Sequence, residues 1–248
     1  MTAPGWVPIF LKEYIHFRRK LFKLGYIFSA MVAPVIYLIA FGLGLGSRVM
    51  MGGTDYLSFL IPGLVAMSSM HNSYTWVAGM VNLSRLYFKT FQIFVQAPVS
   101  SSAILVGEIL AGMVKGLFAS FLVILIGCIA AQGFAITMPF ILALLMNCFL
   151  FSALGVVVGM LTRSHEETAT YSNFLIMPMA FFCGTFFPLD RIPAFLKSII
   201  YLLPLTHTNI LIRKGAMDKE GWLSLLLLLF FGALFFLWGK RLIDGYDE

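Results

Sequence analysis

Few residues in this sequence have the types and spacing to do chemistry. The densest set is TRSHEETAT at 162–170, where His165, Glu166 and Glu167 stand side by side. Imidazole and carboxylate ligate metals, but three adjacent side chains in a loop do not easily turn to one ion. No second histidine stands at ligand spacing either, so no metal site is expected and a cytosolic turn that contacts a partner is. Asp190 with His207 is the other carboxylate–histidine pair available for acid–base work on a lipid. Neither pair has a supporting set of polar residues beside it, and no residue is assigned a catalytic role. GLGLG at 42–46 has the glycines of a phosphate loop but no Lys-Ser or Lys-Thr after them, and Gly239-Lys240 runs into Arg241. This chain therefore has no ATP-hydrolysing loop, and active transport would need a second polypeptide.

Three further sets carry polarity into apolar surroundings. Ser68, Ser69, His71, Asn72 and Ser73 fall near the middle of an uncharged run at 56–84. Polar groups at membrane depth need protein or a water-filled cavity beside them, so this set either packs helices together or lines a substrate path. Glu108 and Lys115 are seven apart, hence on one helix face and roughly 10 Å apart along the axis. Glu108 is expected at the cytosolic interface, with Lys115 snorkelling towards it or pairing with a neighbouring helix, and the two are candidates for transmitting movement. Within NLSRLYFKTFQIFVQAPVS at 82–100, Arg85, Lys89, Gln92 and Gln96 recur at spacings of four, three and four. At helical pitch they form one stripe, with Leu83, Tyr87, Phe91 and Phe94 opposite, until Pro98 stops the helix. A basic, aromatic-rich amphipathic helix belongs at a membrane interface. It either anchors the ends of two spans or offers a docking surface to a cytosolic partner.

The elements that must position these residues are membrane spans. Apolar residues make up 60% of the 248, charged ones 11%, and the mean hydropathy is +0.93. A soluble domain carries about a quarter charged residues. The charges bunch between long uncharged stretches, as in a multi-span protein. An interfacial helix is expected at 2–23, its aromatic residues alternating with Lys12, Arg18, Arg19, Lys20 and Lys23. Spans are expected at 24–47, 57–81, 102–131, 138–161, 169–187 and 221–239, with the turn between the third and fourth at Gln132-Gly133. The first run is too long for a cleaved signal and should remain as an anchor. Residues 188–207 lie between; the stretch from Pro193 to Pro204 is too short to cross, which predicts a re-entrant or interfacial element. Three Gly-x-x-x-Gly spacings, 42/46, 112/116 and 155/159, are candidate close-packing motifs. Cys128, Cys148 and Cys183 fall inside apolar runs and read as packing residues.

Charge sets orientation. The segments that share a side with the lead-in hold ten Lys and Arg, and the other side holds Arg48, Arg191, Lys197, Arg213, Lys214 and Lys219, five of them in one long connector. Long connectors weigh little in this rule, so both termini are expected in the cytosol, with the basic cluster near Arg213 as the main objection. The net charge of +6 is explained by lipid headgroups and requires no nucleic acid.

Nearly the whole chain resembles the permease subunits of type-2 ABC exporters. The likeness is carried by FLIPGLVAMSS at 59–69, QAPVSSSAILVGEIL at 96–110, GTFFPLDRIPAFL at 184–196 and LLPLTH at 202–207. It is nearest to permeases for lipo-oligosaccharides such as nodulation factors, with drug-efflux permeases next. The resemblance implies an all-α membrane domain in a bacterial inner membrane, working as a homodimer with two copies of a separate ATPase. ATP and magnesium would be held on that partner, and no cofactor in this chain. In that family the helix between spans two and three docks into the ATPase, which here points to Arg85, Lys89, Phe91, Gln92, Gln96 and Pro98. An amphipathic substrate would leave between subunits, its headgroup near His71, Asn72, Tyr171 and Asn173 and its apolar part near Phe181 and Phe182. The rivals are a secondary transporter, which needs ionisable groups at the midplane and an inverted repeat, and a membrane-embedded lipid-modifying enzyme.

Overall fold

The computed structural model describes residues 4–21, 24–43, 50–51, 54–130 and 135–246. Thr2, Lys23, Gly44, Gly46, Arg48, the Gln132-Gly133 turn and the last two residues lie outside them. The helices are α1 (Trp6–Leu21), α2 (Leu24–Tyr37), α3 (Tyr56–Leu86), α4 (Thr90–Gln96), α5 (Ser101–Ala130), α6 (Met138–Leu161), α7 (His165–Phe182), α8 (Ala194–Ile200), α9 (Pro204–Ile212) and α10 (Lys219–Asp244). A π-helical turn, Leu38–Leu43, continues α2, and a two-residue antiparallel ladder pairs Met50 with Asp55 and Met51 with Thr54. Among the described residues, three helices are long and apolar enough to cross a membrane: Ser101–Ile129, Met138–Leu161 and Lys219–Asp244.

α3 and α6 cross at the centre, with α5 beside them, and small residues set how closely they approach. A Cβ placed on Gly155 would lie 2.8 Å from the Tyr74 carbonyl oxygen, and one on Gly159 would lie 2.8 Å from that of Ala78. On α5 a Cβ on Gly116 would meet the Ser69 carbonyl at 3.0 Å. The glycines at 112/116 and 155/159 therefore sit in the helix contacts, where the absence of a side chain lets backbones touch. Polar cross-links fill the same core. Asn147 of α6 donates to Ala66 O at 3.0 Å and Ser69 Oγ at 2.7 Å on α3, and its own carbonyl accepts from Thr208 of α9 at 2.8 Å. In a medium without water, such a fully paired amide fixes the register of three helices.

Three expectations need correction. Residues 82–98 do not form one helix: α3 continues to Leu86, residues 87–89 turn, and Lys89 takes a left-handed conformation with φ 55° before α4 begins. The fifth expected span stops at Phe182, and Gly184, at φ 82°, turns the chain where a side chain would be strained. The short element expected at 188–207 is a 3-10 turn, Leu189–Arg191, followed by two α-helices. α8 lies outside, whereas α9 runs on to Ile212 and is buried among its neighbours. Pro204 starts α9 because its missing N–H falls where no intrahelical bond is made.

Candidate functional site

The serine–histidine–asparagine run of α3 opens onto a groove. Its walls are α2, α3 and α7, and it encloses a cavity of about 360 Å³. His71, Asn72, Asn173 and Phe181 line it, as the sequence suggested for a path; so do His165, Thr168 and Ser172, which had no such reading. His165 is the first residue of α7 rather than a loop residue, which turns it to the groove mouth. Ser68 accepts from Asn72 through its carbonyl at 2.9 Å, and Ser172 donates to Thr168 O at 2.7 Å. Polar groups from both α3 and α7 therefore face an otherwise apolar trough. Tyr171 lies outside it, on the exposed side of α7. Phe182 lines a second, apolar cleft of about 540 Å³ with Phe187, Pro188, Ile192 and Leu196. Phe181 borders both cavities.

The helix-breaking turn at 87–89 divides the polar stripe between two surroundings. Arg85 belongs to α3 and is buried, donating to the carbonyls of Met160 and Thr162 at the end of α6. A guanidinium there suits a helix C-terminus, whose carbonyls lack internal donors. Gln92 is buried as well and donates to Arg85 O and Tyr246 Oη, each at 3.2 Å. Phe91 packs edge-on to Tyr246 with ring centres 5.5 Å apart. What faces outward is Tyr87, Phe88, Lys89, Ile93, Gln96 and Pro98. The exposed surface is thus aromatic and apolar with a single basic group, not the basic stripe the spacing implied.

Glu108 and Lys115 are both buried, and a third charge joins them from α1. Glu13 accepts from Trp76 Nε1 at 3.0 Å and lies 4.0 Å from Lys115 Nζ. Lys12 approaches the same carboxylate at 3.2 Å. The Lys115 ammonium also sits over the Trp76 ring and 5.4 Å from the centre of Phe17. α1 is therefore fastened to α3 and α5 by buried charge, as well as by Ile9 against Gly107. Sequence reasoning placed Glu13 on a surface helix and missed it. The one signal was an acidic residue within a basic segment.

Two acid–base pairings are not assembled. His207 is buried with Nε2 2.9 Å from Tyr201 O, and a carbonyl can only accept, so that nitrogen carries the proton. Asp190 is solvent-exposed and pairs with Lys197 at 3.6 Å. Beside His165, Glu167 accepts from Arg163 N at 2.7 Å while its own N–H bonds Ser164 Oγ at 3.0 Å, a reciprocal cap on α7.

Comparison with known proteins matches residues 12–217 to the family model described as ABC-2 type transporter. The chain is 31% identical over 217 residues to Nodulation protein J of Rhizobium leguminosarum bv. viciae, covering 84% of this chain and 81% of that protein. It is 27% identical over 223 residues to Nodulation protein J of Sinorhizobium fredii, covering 88% and 83%. It is 29% identical over 185 residues to the Inner membrane transport permease YadH of Escherichia coli, covering 72% of each.

Proposed function

The chain belongs to the ABC-2 type transporter family, and from that premise we propose that it is the inner-membrane permease subunit of an ATP-driven exporter of amphipathic molecules. Six spans cross the membrane, both termini lie in the cytosol, and two copies work with two copies of a separate ATPase that holds ATP and magnesium. The observation that carries this reading is the groove. His71, Asn72, Ser172 and Asn173 lie together along an apolar trough, an arrangement suited to a polar headgroup and unsuited to lipid tails. The adjoining aromatic cleft accepts the apolar part of the same molecule. The export of lipo-oligosaccharides is in keeping with this division.

The turn at 87–89 and the outer face of α4 are the ATPase docking surface. Tyr87, Phe88 and Ile93 supply apolar area, Lys89 supplies charge, and Gln96 and Pro98 form the rim. Arg85, Phe91 and Gln92 support this surface from behind. ATP binding draws the ATPase subunits together and moves the docking helices, which shifts the permease halves between inward and outward arrangements. Cytosolic termini are compatible with the basic cluster at 213–214. Arg213 donates to the carbonyls of Phe59, Asn209 and Thr185, and Lys214 is held by Asp218 at 2.6 Å and Glu220 at 2.7 Å. These cations are committed to protein partners.

The test is gentle solubilisation of the tagged chain from its native membranes, followed by mass spectrometry of what accompanies it. An ATPase subunit in one-to-one ratio, lost in Phe88→Asp with Lys89→Glu, is the expected result. A chain that purifies alone and still moves solute would overturn the proposal and favour a secondary transporter.

A further inference from the structure

The docking helix and the groove are joined by a continuous buried hydrogen-bonded path. It starts at Gln92 of α4, which donates to Arg85 O at the end of α3. The Arg85 guanidinium passes to Met160 O and Thr162 O, where α6 ends. Asn82, one turn earlier on α3, donates to Thr162 Oγ1 at 3.0 Å and to Ser164 O at 3.3 Å. The Thr162 and Thr168 hydroxyls share a hydrogen bond at 2.7 Å, with Val158 O 2.9 Å from Thr162 Oγ1 and Ser164 O 3.0 Å from Thr168 Oγ1 as their further acceptors. Thr168 stands in the first turn of α7 and lines the groove.

The two sides of this joint differ in how firmly they are held. α6 is buried along most of its length and locked to α3 through Gly155, Gly159 and Asn147. α7 buries only Thr168, Ile176, Met179 and Ala180 among its eighteen residues. Residues 162–164 are thus a short connection between a fixed helix and a loosely held one, the usual setting of a hinge. The joint also contains unused acceptors. Asn82 Oδ1 and Gln92 Oε1 are buried and have no partner among the described residues. Buried acceptors without donors are unfavourable, so this arrangement of the joint is not fully satisfied.

We propose that Gln92, Arg85, Asn82, Thr162 and Thr168 form the transmission joint that turns movement of the docking helix into tilting of α7, the movable wall of the groove. The proposal rests on the exporter reading above. These are positioning residues: a push on α4 reaches Arg85, shifts the α6–α7 connection that Arg85 and Asn82 hold, and swings α7 about residues 162–164.

The test uses the complex of permease and co-purified ATPase in lipid nanodiscs. Spin labels are placed at Ile141→Cys on the fixed helix α6 and Phe174→Cys on α7, both exposed and outside the docking surface, in a Cys128→Ser background, with labelled protomers diluted by unlabelled ones. ATP and vanadate are expected to change the label separation in the otherwise unaltered protein. Thr168→Val keeps the shape and removes the hydroxyl; it should lose at least half of that change at unaltered ATPase stoichiometry, and Thr168→Ser should restore it. Gln92→Met, at the opposite end of the joint, should show the same loss. A full-sized change in either Thr168→Val or Gln92→Met overturns the joint, and so does an α7 that does not move in the parent protein. Failure of any ATPase to accompany the parent protein would instead sink the exporter reading.

Discussion

The Lys115 ammonium of α5 lies 4.0 Å from the Glu13 carboxylate of α1, with both side chains buried. Through this contact the amphipathic helix α1 is part of the packed body. Lys115→Met leaves Glu13 buried with the half-exposed Lys12 as its remaining cation. Removing one partner of a buried pair costs about 3–5 kcal/mol, so a clear fall in the detergent melting temperature is expected. The double variant Glu13→Leu with Lys115→Met should recover most of it. An additive loss in the double variant would show that the two charges do not interact.

The α3–α6 crossing allows no added carbon. In Gly155→Ala the new Cβ starts 2.8 Å from Tyr74 O, a backbone atom that cannot swing aside. Overpacking of this kind costs roughly 1–3 kcal/mol. Gly79→Ala on α3, where a Cβ meets nothing within 4 Å, is the matched control and should be neutral or better. Thermal unfolding of the two purified variants decides between close packing and a merely helix-weakening role for Gly155.

The groove should govern substrate handling without touching the ATPase. Asn173→Leu with His71→Leu removes hydrogen-bonding capacity worth about 1–1.5 kcal/mol per lost bond, and thus roughly tenfold in apparent affinity for each. ATP-dependent uptake of a fluorescent lipo-oligosaccharide into inverted vesicles should shift to higher concentration, with the ATPase subunit still attached. Tyr171→Leu, outside the groove, should leave uptake unchanged; an equal effect of both changes would remove the groove from the path.

The start of α10 is pH-sensitive through Asp218. A hydrogen bond from Lys214, together with the Gly221 N–H, holds its carboxyl below the ordinary 3.8. Because the folded value is depressed, its stabilising effect is complete above pH 3.8 and disappears as the pH falls through the lower folded value. Asp218→Ala, which loses the cap, should melt below the parent protein at neutral pH. That gap should narrow only under more acidic conditions than pH 3.8. A gap that is constant down to pH 2 would assign the effect to packing rather than to charge.

Some of this molecule was legible because it depends on composition and local spacing. The apolar runs that became α5, α6 and α10 were found to within a few residues, since twenty or so uncharged residues leave little alternative to a membrane helix. His71, Asn72 and Asn173, which line the groove, stood out in the sequence because polar side chains in apolar runs are conspicuous. The glycine spacings at 112/116 and 155/159 were visible too, although only the fold could show that both meet α3.

What the sequence by itself determined is the membrane class, the family and the rough order of spans, all set by hydropathy along the chain and by motifs read in a row. The tertiary structure decided the direction in which side chains face. Arg85 and Gln92 have the spacing of an exposed stripe, yet the carbonyls at the end of α6 and the phenol of Tyr246 draw them inward, and these partners lie 75 and 154 residues away. Glu13 reads as a surface carboxylate until Lys115 and Trp76 are folded against it. A buried charge or amide goes where its partner is, and partners so distant in sequence leave no periodic trace.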